Sequence, residues 1–304
     1  MGAIEDQLKA NRPNLSAGSI RTYSSILRTL GKGLGLDFDK PEVVVKHYKA
    51  ILEHMKEVSP NLRKTRLASL VVYLGKGEDV DKVVDSFRQL MMSDKKKSDD
   101  DSKEQKMTQK QKDAWLPWSD IMECYEALKK EVTPLLKRDT LDKKQFARVQ
   151  LFVLLSLLVL IPPRRSLDWT AFKLREVDEG KDNYLKTLKR KPVLVFNNYK
   201  TAGKTGQQVV EIPRVLHQIL KRWMELNPHD WLLMNYSQSG GITPTQLTQL
   251  LYGFFGKNIS TSMLRHLYLS DKYKDIPALK EMEATAEAMG HSLSVALEHY
   301  VKKE

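Results

Sequence analysis

One stretch in the first half of the chain, Asp94 to Lys112, carries almost no apolar side chains and a dense mixture of both charges. Such a sequence cannot bury enough apolar surface to offset the entropy of ordering it, so we expect a flexible linker. The sequence on either side can build cores, because hydrophobic residues make up 41% of the chain. We therefore predict an N-terminal domain (residues 1–93), the linker (94–112) and a larger second domain (113–304).

Composition restricts the compartment and the partner. Cys124 is the only cysteine, which excludes an intramolecular disulfide and a cysteine-based zinc site and indicates a reducing interior. The most apolar run, Val149 to Ile161, is too short to cross a bilayer and predicts a buried helix, so we expect no membrane partner. The 50 Lys and Arg residues outnumber the 38 Asp and Glu residues, which favours a polyanionic partner.

The N-terminal domain shows the apolar spacing of several short helices, one of them beginning near Ile20 and others at Pro41 and Pro60. Five basic residues lie on the predicted polar faces: Arg21, Arg28, Arg63, Lys64 and Arg66. These side chains suit contact with DNA phosphates, and an ordinary solvated helix face accounts for them equally well.

Two prolines and two arginines follow the predicted buried helix of the second domain. Pro162 and Pro163 end that helix, and Arg164 and Arg165 come directly after them. A guanidinium group beside apolar structure needs an anion or a carboxylate, because an unpaired charge is costly to desolvate. Asp168 is a nearby carboxylate, and the residues from Trp169 to Phe172 are expected to continue a helix.

The pattern then changes to the alternation typical of strands. We predict three short strands, at residues 184–187, 193–196 and 208–213. A turn-rich loop, Asn197 to Gly206, joins the last two and carries Lys200 and Lys204. The loop lacks the full glycine and lysine pattern of a phosphate-binding loop, so ATP binding is not expected.

The last forty residues carry the most chemistry. Arg265 and His266 lie in an otherwise apolar segment, His291 follows a glycine that breaks the next helix, and Tyr300 comes nine residues after His291. An arginine, a histidine and a tyrosine are the components of a phosphoryl-transfer site, in which cations hold a phosphate and the phenol attacks it.

The order Leu264-Arg265-His266, then Met289-Gly-His-Ser292, then Tyr300 resembles the C-terminal signature of the tyrosine recombinase (phage-integrase-like) family. Members of that family cut one DNA strand with a tyrosine and rejoin it to another. The sequence around Pro162–Trp169 and Met263–Tyr273 is most similar to integrases of eukaryotic large DNA viruses and virophages, which implies viral genome integration. The resemblance covers nearly the whole chain, with specific motifs only in the second half.

The resemblance implies a mainly α fold with a small three-stranded antiparallel sheet. Residues 1–93 would form a helical DNA core-binding domain, and residues 113–304 the catalytic domain. It also implies a homo-tetramer on two double-stranded DNA duplexes, strand exchange through a Holliday junction, and no cofactor and no metal. The expected location is an intracellular, DNA-containing compartment: the nucleus or a viral factory for a viral protein, the cytoplasm for a prokaryotic one.

The resemblance also implies roles for individual residues. The implied catalytic set is Arg165, Lys200, Arg265, His291 and Tyr300. Both arginines and His291 would contact non-bridging phosphate oxygens, Lys200 would protonate the departing 5′ oxygen, and Tyr300 would form a 3′-phosphotyrosyl bond. Arg164 is the alternative to Arg165, and Lys204 is the alternative to Lys200 and otherwise a DNA contact.

Three further residues have supporting roles. Asp168 would buttress the first catalytic arginine, and His266 is expected to be a packed structural histidine. Ser262 occupies the position where the family usually has His or Lys, so the proton transfer made there is dispensed with, or is made by water or by another group. Ser262 also leaves open a DNA-binding protein with a decayed site. A type IB topoisomerase or a telomere resolvase uses the same chemistry and is the other alternative.

Overall fold

The computed structural model describes residues 2–188, 191–290 and 292–297. In this part the chain is mainly helical with one small sheet. It forms two compact units, which we call unit 1 (Met1–Lys106 with Pro277–Glu304) and unit 2 (Met107–Ile276).

The helices, in chain order, are α1 (Ala3–Asn11), α2 (Ala17–Leu34), α3 (Pro41–Lys46), α4 (Tyr48–Lys56), α5 (Pro60–Leu74), α6 (Glu78–Lys103), α7 (Gln109–Ala114), α8 (Trp118–Val132), α9 (Lys143–Val159), α10 (Ser166–Thr170), α11 (Ala202–Thr205), α12 (Arg214–Leu226), α13 (Pro244–Phe255), α14 (Thr261–Lys272), α15 (Leu279–Ala288) and α16 (Leu293–Val295). The strands are β1 (Phe172–Lys173), β2 (Asn183–Leu188), β3 (Lys191–Phe196) and β4 (Gln208–Glu211).

Unit 1 has a helical core built from the apolar faces of α1 to α6. The predicted helix starts at Pro41 and Pro60 are confirmed, since proline at the first helical position loses no intrahelical hydrogen bond. The helix that begins at Ala17 continues to Leu34 and ends at Gly35, whose φ of 67° is the left-handed conformation that glycine adopts without a steric cost.

Helix α6 corrects the expectation of a flexible linker at residues 94–112. The helix continues to Lys103, so the first part of the charged segment is helical. Its start is anchored by the buried side chains of Val83, Val84 and Phe87, and extending a helix that is already formed costs little. Asp94 is itself buried, where its carboxylate receives two hydrogen bonds from Arg63, at 2.5 and 2.6 Å.

The segment from Pro277 belongs to unit 1, although the sequence placed it in the second domain. Lys280 pairs with Glu104 at 2.8 Å, Lys103 pairs with Glu283 at 3.1 Å, and the backbone N–H of Leu279 donates to the side chain of Gln105. Exposed pairs of this kind are individually weak. The predicted functional domain limits stay a prediction.

The sheet in unit 2 has four strands in the order β1-β2-β3-β4, with β1 parallel to β2 and the other pairs antiparallel. The three expected antiparallel strands are present as β2, β3 and β4, and the expectation of a three-stranded sheet is corrected by a fourth strand, β1, which pairs in parallel with β2. The strand that the sequence did not predict, β1, is only Phe172–Lys173, where a helix was expected to continue. Phe172 is buried against Trp169 and Phe196, and this packing favours an extended backbone although two residues are too few to show a strand pattern.

The core of unit 2 is organised around α9. Nearly all residues from Val149 to Leu158 are buried, which confirms the buried helix predicted from the apolar run. Asp142 and Gln145 form a reciprocal capping box at its start. None of the described helices is both long and apolar enough to cross a membrane.

The Arg63–Asp94 pair gives a test of unit 1. We expect Arg63→Ala to lower the free energy of unfolding by about 3 kcal/mol, because it leaves a buried carboxylate without its cation. The neighbouring exposed Lys64 supplies the control, since Lys64→Ala should change stability by less than about 0.5 kcal/mol. Urea denaturation of the full chain measures both, and equal stabilities would show that the ion pair contributes nothing.

Candidate anion-binding site

A cavity of about 240 Å³ lies in unit 2 where several predicted site residues meet. Arg165, Arg265 and Asp168 all line it. The described residues that line it are Pro162, Pro163, Arg164, Arg165, Asp168, Tyr199, Thr201, Gln208 and Arg265. Residues that are far apart in the sequence are therefore brought together around one opening.

Two of the three arginines in the cavity, Arg165 and Arg265, are positioned by the starts of two helices. Arg165 is the residue that precedes α10, and Arg265 lies in the first turns of α14. The hydroxyl oxygens of Ser166 and Thr261, at the two helix starts, are 2.9 Å apart and hydrogen-bonded. This bond ties the helix starts together, and both arginines therefore reach the same cavity.

Arg164 has its partners inside the protein. Its Nε donates to Asp168 Oδ2 at 2.7 Å, its Nη2 donates to Gln208 Oε1 at 2.9 Å, and its guanidinium carbon lies 3.9 Å from the centre of the Phe196 ring. Asp168 was expected to buttress Arg165, and the structure corrects this, because its hydrogen bond is to Arg164. The i, i+4 spacing brings the two side chains together.

The side chains of Arg165 and Arg265 differ from that of Arg164 in having no hydrogen bond or ion pair to any residue that the structure describes. Both are half-buried. Their donors are therefore free for a ligand, and paired guanidinium donors match the oxygens of a phosphate. This difference favours Arg165 over Arg164 as the first ligand-binding arginine.

The charge of the cavity is unbalanced. Asp168 is buried, and its Oδ1 has no hydrogen-bond partner among the described residues. Burial raises the pKa of the Asp168 carboxyl, although Arg164, Arg165 and Arg265 all oppose the shift. Among the described lining residues, at most one negative charge thus faces three guanidinium groups, and the cavity suits an anion.

The predicted lysines do not line this cavity. Tyr199 and Thr201 line it, and Lys200 between them is exposed. The hydroxyl of Tyr199 donates to the backbone oxygen of Gly206 and so closes the loop between β3 and β4. Lys204, in α11, is also exposed. The catalytic role of Lys200 stays a prediction.

The other predicted residues of the C-terminal region are placed as follows. Ser262 and His266 are both exposed on α14, so the expectation of a packed His266 is wrong. The helix turns this side chain away from the buried face that carries Met263, Leu264 and Leu267. His291 and Tyr300 lie outside the described residues.

The predicted DNA contacts of unit 1 fall into two groups. Arg28 pairs with Glu5 at 2.7 Å, and Arg63 is held by Asp94, so Arg63 is a structural residue rather than a free phosphate contact. Arg21 and Lys64 are exposed, Arg66 is half-buried, and none of the three has an ion pair within the described part of the chain.

The sequence reasoning missed Tyr199, Thr201 and Gln208. A signal was present for Gln208, because a buried arginine requires several acceptors and Asp168 supplies only one carboxylate. Which strand would supply the second acceptor depends on the sheet register, which the sequence did not determine. In the described ranges no group of three or more His, Cys, Asp or Glu side chains is placed to hold a metal ion.

Comparison with known proteins identifies no family model and no curated protein that matches this chain.

The contrast between the adjacent arginines can be measured. We expect Arg164→Ala to lower the free energy of unfolding by about 3 kcal/mol, because it leaves the Asp168 carboxylate buried without its direct partner. Arg165→Ala should change it by no more than about 0.5 kcal/mol, since that side chain makes no hydrogen bond or ion pair with any described residue. Thermal denaturation of the two variants tests this, and the opposite order would exchange the roles of the two arginines.

The raised pKa of Asp168 predicts a pH dependence of stability. The folded state holds the carboxyl proton more tightly than the unfolded chain, so lowering the pH from neutral towards the unfolded pKa favours folding through this group. We expect wild-type stability to rise relative to Asp168→Asn between pH 7 and about pH 4, measured by urea denaturation. A difference that shrinks instead would mean that the arginines outweigh burial.

Proposed function

We propose that this protein is a site-specific DNA recombinase or integrase of the tyrosine recombinase type, acting through a covalent 3′-phosphotyrosyl intermediate. The observation that carries the proposal is the cavity in which the guanidinium groups of Arg165 and Arg265 have no hydrogen-bond partner among the described residues. The sequence motif that ends in His291 and Tyr300 supplies the nucleophile and a further donor.

The proposed reaction exchanges one phosphoester bond for another. The phenolic oxygen of Tyr300 forms a bond to phosphorus, the bond from phosphorus to the 5′ oxygen breaks, and that oxygen takes up a proton. Negative charge grows on the non-bridging oxygens in the transition state, where Arg165 and Arg265 donate charge-assisted hydrogen bonds. The new ester keeps the free energy of the broken bond, so religation needs no ATP.

Proton transfer is assigned to other residues. Lys200 is the proposed donor to the departing 5′ oxygen, and its exposed position after β3 leaves its ammonium group hydrated until DNA covers it. His291 is the proposed third donor to the phosphate. Ser262 cannot act as a base at neutral pH, so deprotonation of Tyr300 is assigned to water or to another group.

The proposed partner is double-stranded DNA, bound as a tetramer on two duplexes with a Holliday junction between them. The net charge of +12 supports a polyanionic partner. In unit 1 the exposed Arg21 and Lys64 are proposed phosphate contacts, because neither has an ion pair within the described residues.

A covalent adduct assay tests this function. Nicked duplex and Holliday-junction DNA would be prepared from the ends of the genetic element that encodes this protein and incubated with the full chain. Protein–DNA adducts would then be measured on a denaturing gel. We expect an adduct with wild type, none with Tyr300→Phe, and a rate at least about a hundredfold lower with Arg165→Ala. The matched control is Tyr273→Phe, which removes an exposed phenol and should form the adduct at the wild-type rate.

Each other outcome identifies an alternative. An adduct that survives in Tyr300→Phe would move the nucleophile to another tyrosine. DNA binding without an adduct on any substrate would leave a DNA-binding protein with a decayed site. Relaxation of supercoiled DNA by an adduct-forming protein that never joins two duplexes would identify a type IB topoisomerase.

A further inference from the structure

We propose that the side-chain amide of Gln208 is an additional hydrogen-bond donor to the phosphate in the cavity, held in position by Arg164. The inference rests on the proposed function and adds a residue to its site. Binding of phosphate at Gln208 can also be measured without any DNA reaction.

The backbone of Gln208 is fixed by the sheet. Gln208 is the first residue of β4 and pairs with Phe196 of β3. Its half-buried side chain lines the cavity together with Arg165 and Arg265. Gln208 therefore reaches the cavity from the sheet, whereas Arg165 and Arg265 reach it from the starts of two helices.

Arg164 determines which end of the amide remains available. A guanidinium group can only donate hydrogen bonds, so the atom that faces Arg164 Nη2 at 2.9 Å must be the amide oxygen. Arg164 cannot turn away easily, because Asp168 accepts from its Nε and the Phe196 ring lies under it. The amide NH₂ of Gln208 is left as the group for a ligand, and no described residue accepts a hydrogen bond from it.

A neutral donor complements the two arginines. A further cation at the position of Gln208 would increase the repulsion among Arg164, Arg165 and Arg265, whereas an amide N–H adds a hydrogen bond without adding charge. Donors fixed before the ligand arrives are those that stabilise developing negative charge most effectively. The ligand class is an oxyanion of phosphorus, and in DNA it is the non-bridging oxygen of the scissile phosphate.

The test is a titration of the full-length chain with inorganic phosphate, in which isothermal titration calorimetry measures the affinity. Gln208→Met keeps the length of the side chain and removes the amide, and we expect phosphate affinity to fall by about tenfold to a hundredfold. Gln208→Glu keeps an oxygen acceptor for Arg164 and replaces the donor with a carboxylate, so binding should be weaker still. Gln208→Glu therefore retains an acceptor for the hydrogen bond from Arg164.

The control is Gln207→Met. Gln207 is exposed, donates to Asn197 Oδ1 at 2.8 Å and does not line the cavity, so its loss should leave phosphate affinity within about twofold of wild type. Binding by Gln208→Met at the wild-type level, or no phosphate binding by wild type, would overturn the inference. The rate of DNA adduct formation should fall in the same order as phosphate affinity.

The two proposals fail in different ways. Phosphate binding that depends on Gln208, without any adduct that depends on Tyr300, would retain the inference and overturn the proposed function. An adduct that depends on Tyr300 and forms equally fast with Gln208→Met would retain the function and overturn the inference.

Discussion

The ion pair between Arg164 and Asp168 is the interaction on which the cavity of unit 2 depends. It joins the segment before α10 to the helix itself, and through Gln208 it reaches the sheet. A buried pair of this kind adds little net stability compared with apolar residues, but removing one partner is costly. Its contribution is therefore to fix the position of the Arg164 side chain against Phe196. Of the two adjacent arginines, Arg165 is the one whose side chain has no hydrogen-bond partner among the described residues.

Two neighbouring arginines thus have opposite roles, and their surroundings rather than their chemistry separate them. Arg164 satisfies its donors with a carboxylate, an amide oxygen and an aromatic face, whereas Arg165 has no such partner among the described residues. The same distinction separates Arg63 from Lys64 in unit 1. Counting basic residues on predicted helix faces therefore overestimates the surface that is free to bind DNA.

Sequence patterns predicted the parts of the fold that follow from local physics. The apolar run predicted α9, alternation predicted β2, β3 and β4, and proline marked the starts of α3 and α5. The failures depend on tertiary contacts: β1 exists because Phe172 packs on Phe196, and α6 extends because its first turns are buried. The motifs predicted that Arg165, Asp168 and Arg265 belong to one site, but the partner of Asp168 depends on side-chain directions that spacing alone did not resolve.

A cavity with this composition concentrates positive charge, which is unfavourable in a partly buried site. Arg165 and Arg265 are half-buried beside Arg164, and the single nearby carboxylate is already paired with Arg164. A phosphate relieves that repulsion, and any ligand that binds only the folded state raises its stability. Binding sites commonly sacrifice stability in this way. The arrangement gives a reason for two cations that have no side-chain partner among the described residues to lie beside well-packed structure, and it favours an anion as the ligand of this cavity.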